Sequence, residues 1–202
     1  MGRYRDAADH HGQALALYQQ AGDRIGEADV LNGLGHIEML ANQHGPAAYH
    51  LHQALTLYRQ LGNRTGEASA LDSLGILHTR LGQPGQAAEH HEQALTIFRE
   101  TGQRGSEAWA LNGLGEAARA AGRPVDALTH HAAAHRIAAD IGDRHQRARA
   151  HTGLGHAHHA LGDPTSACHH WRHALALYTD LGTPEAEQIR THLAALDTTS
   201  VN

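Results

Sequence analysis

Apolar residues recur along this chain at helical spacing, in pairs of stretches separated by glycine. Residues 25 to 41 place Ala28, Leu31, Leu34 and Ile37 on one stripe, and residues 46 to 60 do the same with Ala47, Leu51, Ala54, Leu55 and Tyr58. Both follow the 3.6-residue period of an amphipathic helix. The pair then repeats every 40 residues: Leu31-Asn-Gly-Leu-Gly35 returns as Leu71-Asp-Ser-Leu-Gly75, as Leu111-Asn-Gly-Leu-Gly115 and, weakened, as His151-Thr-Gly-Leu-Gly155. The same step carries Gly22, Gly62, Gly102, Gly142 and Gly182, the Ala7 column through Ala167, and the Ala14 column through Ala174. Each period therefore predicts a helical hairpin.

The punctuation agrees. Gly82, Gly122 and Gly162 stand where the first helix ends in a left-handed cap, and Pro46, Pro84, Pro124 and Pro164 open the second helix, where a missing N–H costs nothing. Asp163 is placed to cap the helix that Pro164 opens. Glu27, Glu67 and Glu107 fall in first turns, where acids complement the helix dipole. Gly35 and its period mates lie mid-helix, which costs about 1 kcal/mol against Ala, so a neighbouring helix is expected to approach closely there. Stacked hairpins that bury apolar faces only against their neighbours make a solenoid. The phase predicts an orphan helix over 3–20, hairpins over 25–60, 65–100, 105–140 and 145–180, and a capping helix over 184–196. All belong to one solenoid, 1–197, followed by a flexible tail, 198–202.

Composition fits thin layers better than one thick core: 41% of the 202 residues are apolar, yet only 4% are aromatic. Sixteen basic against 21 acidic residues give a net charge of −5, which leaves no basic footprint for nucleic acid. The single Cys168 excludes an intramolecular disulfide and any cysteine-based zinc cluster, so the expected compartment is the cytoplasm. No apolar run approaches the roughly 20 residues that span a bilayer, and the N-terminus lacks a signal-peptide core. Every basic residue is Arg; without Lys there is no Gly-Lys-Ser/Thr phosphate loop, and Gly33-Leu-Gly35 lacks the third glycine of a dinucleotide loop. Cys168 beside Ala167 reads as a buried thiol. The expectation is a protein with no catalytic site and no cofactor.

The residues Leu31, Leu34 and Gly35 in the first helix, with Ala47 and Ala54 in the second, resemble the tetratricopeptide repeat, over roughly residues 2 to 196. The period of 40 exceeds the family's usual 34, and the family's aromatic is absent at Glu38. The longer repeat looks like that of kinesin light chains and of the sensor arms of bacterial SARP and STAND (NB-ARC) transcriptional regulators; residues 61 to 71 are most similar to the latter. The resemblance implies an all-α right-handed superhelix of about four and a half hairpins whose first helices line a concave, peptide-binding groove. Carried over residue by residue, the inward positions are Asn32, His36 and Met39; Asp72, Ile76 and Arg80; Trp109, Asn112, Glu116 and Arg119; Arg149, Thr152, His156 and His159. In the row Asn32, Asp72, Asn112 and Thr152, short polar side chains one hairpin apart either pair with an extended peptide backbone or are merely solvated. Trp109 is either an interface anchor or packing for the adjacent helix.

The chain holds 21 histidines. His10, His50, His90, His130 and His170 form a column, but neighbouring equivalents stand about 10 Å apart, whereas two imidazole nitrogens on one zinc are only about 4 Å apart. The column is expected to pack at helix interfaces, each ring donating to a neighbour, and no metal site is assigned. His131 with His135 and His169 with His173 have the i, i+4 spacing of a two-ligand chelate, and His156 with His159 the looser i, i+3. Full protonation would move the formal charge from −5 to −5 + 21 = +16, which predicts acid sensitivity.

The reading is a protein- or peptide-binding scaffold, implied by the resemblance to be the interaction arm of a larger bacterial regulator whose other parts lie upstream of Met1. The alternative is a stand-alone histidine-rich protein that binds a metal ion or responds to pH. Leu15, Leu17 and Tyr18 on the orphan helix leave room for a homodimer; no direct nucleic-acid or membrane contact is expected.

Overall fold

The structure is a computed structural model, and it describes residues 2–199. Its described residues form helices joined by short turns, with no strand. They divide into two compact units, Met1–Gly102 and Gln103–Asn202. Unit 1 holds α1 (Gly2–Ala21), α2 (Arg24–Leu40), α3 (His44–Leu61), α4 (Arg64–Arg80) and α5 (Pro84–Glu100). Unit 2 holds α6 (Arg104–Ala120), α7 (Pro124–Asp140), α8 (Arg144–Ala160), α9 (Pro164–Leu181) and α10 (Glu185–Thr199). The pairs α2–α3, α4–α5, α6–α7 and α8–α9 are antiparallel hairpins. α10 continues three residues past the expected end at 196, so Thr198 and Thr199 are helical where a tail was expected; residues 200–202 lie outside the described residues.

Local chemistry sets these boundaries. Asp23, Asn63, Asp143 and Asp163 cap α2, α4, α8 and α9, each side chain accepting from a backbone N–H of the first turn. Within hairpins Gly82, Gly122 and Gly162 take the left-handed conformation at φ of 68 to 77°, and Asn42 takes the same role at 59°, the side chain best able to replace glycine there. α3 begins two residues ahead of Pro46, at His44. An arginine at the start of each first helix reaches the end of its own second helix: Arg24 to Gln60 (3.3 Å), Arg64 to Glu100 (2.8 Å), Arg104 to Asp140 (3.1 Å) and Arg144 to Asp180 (2.6 Å). All four contacts are exposed, so they add little to stability.

The core is built from small residues in register. Ala47, Ala54, Ala87 and Ala94 of unit 1 and Ala127, Ala134, Ala167 and Ala174 of unit 2 are fully buried. Ala7 and Ala14 of α1 are only half-buried. The close approach expected at the mid-helix glycines is found: a Cβ on Gly35 would lie 2.5 Å from Leu51 Cγ, and one on Gly75 2.6 Å from His91 Cε1. Gly115 and Gly155 meet His131 and Trp171 in the same way. A second set of contacts joins successive hairpins, Tyr18 lying over Gly26 and Tyr58 over Gly66.

Candidate ligand-binding face

The expected site residues sit on the first helices, and the structure sorts them into those that face outward and those committed to the interior. In unit 1, His36 of α2 and Ser73 of α4 are 2.8 Å apart. Ser73 gives its one hydroxyl proton to the Ser69 carbonyl, so His36 Nε2–H is the donor to Ser73. Partial desolvation between the helices pulls the His36 imidazole below its ordinary pKa, and Arg80 adds to the fall against the opposing pull of Asp72. Arg80 is exposed and donates from Nη1 to the Met39 carbonyl at 3.3 Å, while Ile76 is half-buried.

Asp72 is half-buried and accepts from Nδ1 of His91 on α5 at 2.7 Å. Asn32 is half-buried, and its Oδ1 has no hydrogen-bond partner among the described residues. Asp29 accepts from the Tyr58 hydroxyl at 2.6 Å; burial first, and this bond second, raise the phenol's pKa. Met39 does not belong to the face: it is 2% exposed, because its register points the side chain into the hairpin.

In unit 2, Trp109 remains 40% exposed on α6 and is held by α8. The Arg149 guanidinium lies 5.2 Å from the indole centre, and His145 stacks at 6.0 Å with the planes 20° apart. Arg149 is fixed in turn by a fork to Glu116, Nε to Oε1 at 2.7 Å and Nη2 to Oε2 at 3.0 Å. Trp109 thus combines the two roles left open by the sequence: one part packs against the adjacent helix, and the rest stays on the surface. Arg119 is exposed on the same helix. Thr152 is half-buried and returns its hydroxyl to the Ala148 carbonyl at 3.0 Å. His156 packs edge-on against Trp171 (5.4 Å) and His192 (4.7 Å), and burial, with His192 and Arg119 adding to it, pulls it down to about 4. His159 tilts over Trp171 at 5.6 Å.

Asn112 does not belong to the face either. It is fully buried, donating from Nδ2 to Gln146 Oε1 at 3.0 Å and pairing through Oδ1 with His131 Nδ1 at 2.9 Å. Buried amides must be satisfied internally, so this side chain has nothing to offer a peptide. The row Asn32, Asp72, Asn112 and Thr152 is therefore not a uniform ladder: at Asp72 and Asn112 it serves the second helix of its own hairpin. Sequence reasoning missed that partner column, Leu51, His91, His131 and Trp171, the residues beneath the mid-helix glycines. Its signal was available, since a histidine sharing a 40-residue register with Leu and Trp belongs inside.

The other histidines divide in the same way. His50 bonds Glu38 at 2.8 Å, His90 stacks on His78 at 5.1 Å, and His170 meets His151, all at interfaces between helices. His131, 1% exposed and bound to Asn112, cannot chelate together with His135. Among the described residues no three His, Cys, Asp or Glu side chains are placed to hold a metal ion. Cys168 is half-buried where a buried thiol was expected. No helix of the described residues is long and apolar enough to cross a membrane.

This architecture has well-defined relatives. BtubC (BKLC) from P. vanneervenii superposes with a TM-score of 0.81 at 16% identity, covering 98% of this chain and 84% of that one. The Rap protein complexed with Competence and Sporulation Factor gives 0.74 at 18% identity, covering 85% of this chain, which spans 53% of the Rap chain. The Podosopora anserina putative kinesin light chain with nearly identical TPR-like repeats gives 0.69 at 18%, covering 90% of this chain and 89% of that one. At these identities the likeness shows the fold, an all-α solenoid of repeated hairpins. No curated protein sequence matches the chain. The sequence pattern of the tetratricopeptide repeat matches residues 47–100 and 106–196. With both the repeat pattern and the hairpin architecture in place, the chain belongs to the tetratricopeptide repeat family.

Proposed function

We propose that the chain is a protein- or peptide-binding scaffold, and that its binding face in unit 2 is the surface of α6 and α8 around Trp109. The observation that carries this reading is a large aromatic side chain left 40% exposed yet held in one orientation by the Arg149–Glu116 fork. A rigid, half-exposed Trp beside an Arg is the composition that dominates protein interfaces. Arg119, Thr152, His156 and His159 extend the face; in unit 1 Asp72 stands at the register of Thr152, His36 and Ile76 at that of His156, and Arg80 lies on the same helix as Asp72 and Ile76. A Rap protein of the same fold is complexed with Competence and Sporulation Factor, which supports a binding role for this architecture.

The finer reading is that the chain is the interaction arm of a larger bacterial transcriptional regulator acting in the cytoplasm. A homodimer through α1 is a further part of it, supported by Leu17, 65% exposed at a register where Leu57 is buried. The test is selection of linear peptides from a displayed random library against the 202-residue chain and against Trp109→Ala. Peptides enriched by the first and lost by the second are expected; enrichment that survives the substitution contradicts the assignment of the face.

A further inference from the structure

Four of the histidines outside this face gather where α7, α8 and α9 meet. His151 of α8 is 8% exposed and is surrounded by three imidazoles: His135 of α7 with ring centres 4.5 Å away, and His170 and His173 of α9 at 5.3 and 5.1 Å. Its Nδ1 lies 3.0 Å from Nδ1 of His170. Two ring nitrogens at that distance hold one proton between them, one donating and the other accepting. A second proton sets two N–H groups head to head, so the pair tolerates at most one charge.

The surroundings offer that charge no relief. The groups acting on His151 are His135 from α7, Arg147 from its own helix, and His170 and His173 from α9, all cationic when charged. His170 is flanked by His158, stacked at 5.3 Å, and by His169 at 5.5 Å. At one remove, the Asp163 carboxylate faces His158 at 3.4 Å.

We infer that the His151–His170 contact is a proton-operated latch, which closes the α8–α9 hairpin near neutral pH and releases it on acidification. Burial and the neighbouring cations pull His151 down to about 3 and His170 to about 4 in the closed form, whereas an open histidine titrates near 6.5. The open form binds more protons between those values, so the closing equilibrium weakens as pH falls below 6.5, by about tenfold per unit for each ring held neutral. Above 6.5 nothing is lost. α8 also carries Arg149, Thr152, His156 and His159, so the latch would regulate the proposed face, yet it stands on the imidazole contact whether or not that face takes a peptide.

Amide hydrogen exchange on the 202-residue chain at pH 7.5 and 5.0, corrected for intrinsic rates, tests it. The α8 and α9 amides are expected to lose at least tenfold more protection at pH 5.0 than those of α4 and α5, where His91 has Asp72 as its partner, and to regain it at pH 7.5. In His151→Gln/His170→Gln, which keeps polar contacts without these two titrating rings, the difference should shrink to what His131 and His156 still contribute, and a difference of undiminished size overturns the latch. Should that variant not fold, the ring ¹⁵N spectra of the unaltered chain decide: both rings staying neutral to pH 5.0 with opposite Nδ1 protonation supports the latch, and either ring titrating near 6.5 overturns it. Unchanged protection, or equal loss in every helix, also overturns it.

Discussion

Asn112 and Gln146 face each other inside unit 2, amide nitrogen to amide oxygen at 3.0 Å, and both side chains are wholly buried. Gln146 stands at the register of Gly26 and Gly66, glycines that lie beneath Tyr18 and Tyr58. Eight residues ahead of Gln146, where the tyrosines stand ahead of Gly26 and Gly66, is Ala138, so the space that an aromatic fills elsewhere is filled here from the other side by the glutamine. The substitution brings a polar amide into the core, and Asn112 with His131 satisfies it. Asn112→Ala removes three hydrogen bonds, two to Gln146 and one to His131, and leaves buried polar atoms on both partners, for an expected loss of about 2 kcal/mol or more by the usual cost of unsatisfied buried groups. Urea unfolding of the two proteins reads this directly, and a loss within 0.5 kcal/mol would mean the network is dispensable.

Gly75 and Gly12 are both helical glycines, and they should respond oppositely to alanine. A Cβ at Gly75 would be 2.6 Å from His91, a ring 1% exposed and anchored by Asp72, so it cannot move aside. Gly12 has open space around it in α1. Gly12→Ala is expected to gain up to about 1 kcal/mol from helix propensity, while Gly75→Ala loses about 1–3 kcal/mol from overpacking despite the same propensity gain. Thermal unfolding of both variants checks the contrast in sign.

Arg149 is worth more for placement than for stability. It is 16% exposed and Glu116 34%, so the pair contributes about 1 kcal/mol. Arg149→Lys keeps the charge but cannot form the fork or lie flat on the indole. The expected result is a small loss of stability with a clear change in Trp109 fluorescence and weaker binding of peptides selected on the unaltered face; unchanged fluorescence would show that the guanidinium does not hold the ring.

Acid should destabilise the chain chiefly through unit 2. Burial lowers His131 and His156 to about 4 there, and His151 to about 3. A histidine lowered on folding is neutral in both states above 6.5, so its cost is nil there; below 6.5 the unfolded chain takes up the proton first. Stability then falls with pH until the folded value is reached, by up to about 1.4 kcal/mol per unit for a fully buried ring and less for a partly exposed one. The melting temperature is expected to fall between pH 6.5 and 5.0 and to be level between 7.5 and 8.5; a level curve throughout would contradict the burial of these rings in their neutral form.

The repeat, the hairpins and the places of closest approach were legible because one residue type recurs every 40 positions wherever backbone geometry or contact distance leaves a single choice, as at Gly62 and Gly75 or Ala54 and Ala94. The binding face was harder to read. Asn112 and Trp109 lie on the same helix with equally plausible outward positions, and what separates them is the partner that each finds: His131 and Gln146 draw the amide inward, whereas Arg149 holds the indole at the surface. Those partners lie 19 to 40 residues away, and their side-chain choices vary from repeat to repeat, so no periodic pattern announces them. Met39 fell to the same ambiguity, a flexible apolar side chain able to face either way until packing decides.

The outward side of α6 and α8 is proposed to take up a protein or peptide partner. The most direct measurement is a backbone and indole ¹H–¹⁵N titration of the 202-residue chain with a peptide selected on it. Saturable shifts are expected at the Trp109 indole, Glu116, Arg149, Thr152 and His156, with the exposed sides of α7 and α9 unchanged; shifts confined to α7, α9 or α1, with Trp109 silent, would contradict this assignment of the face.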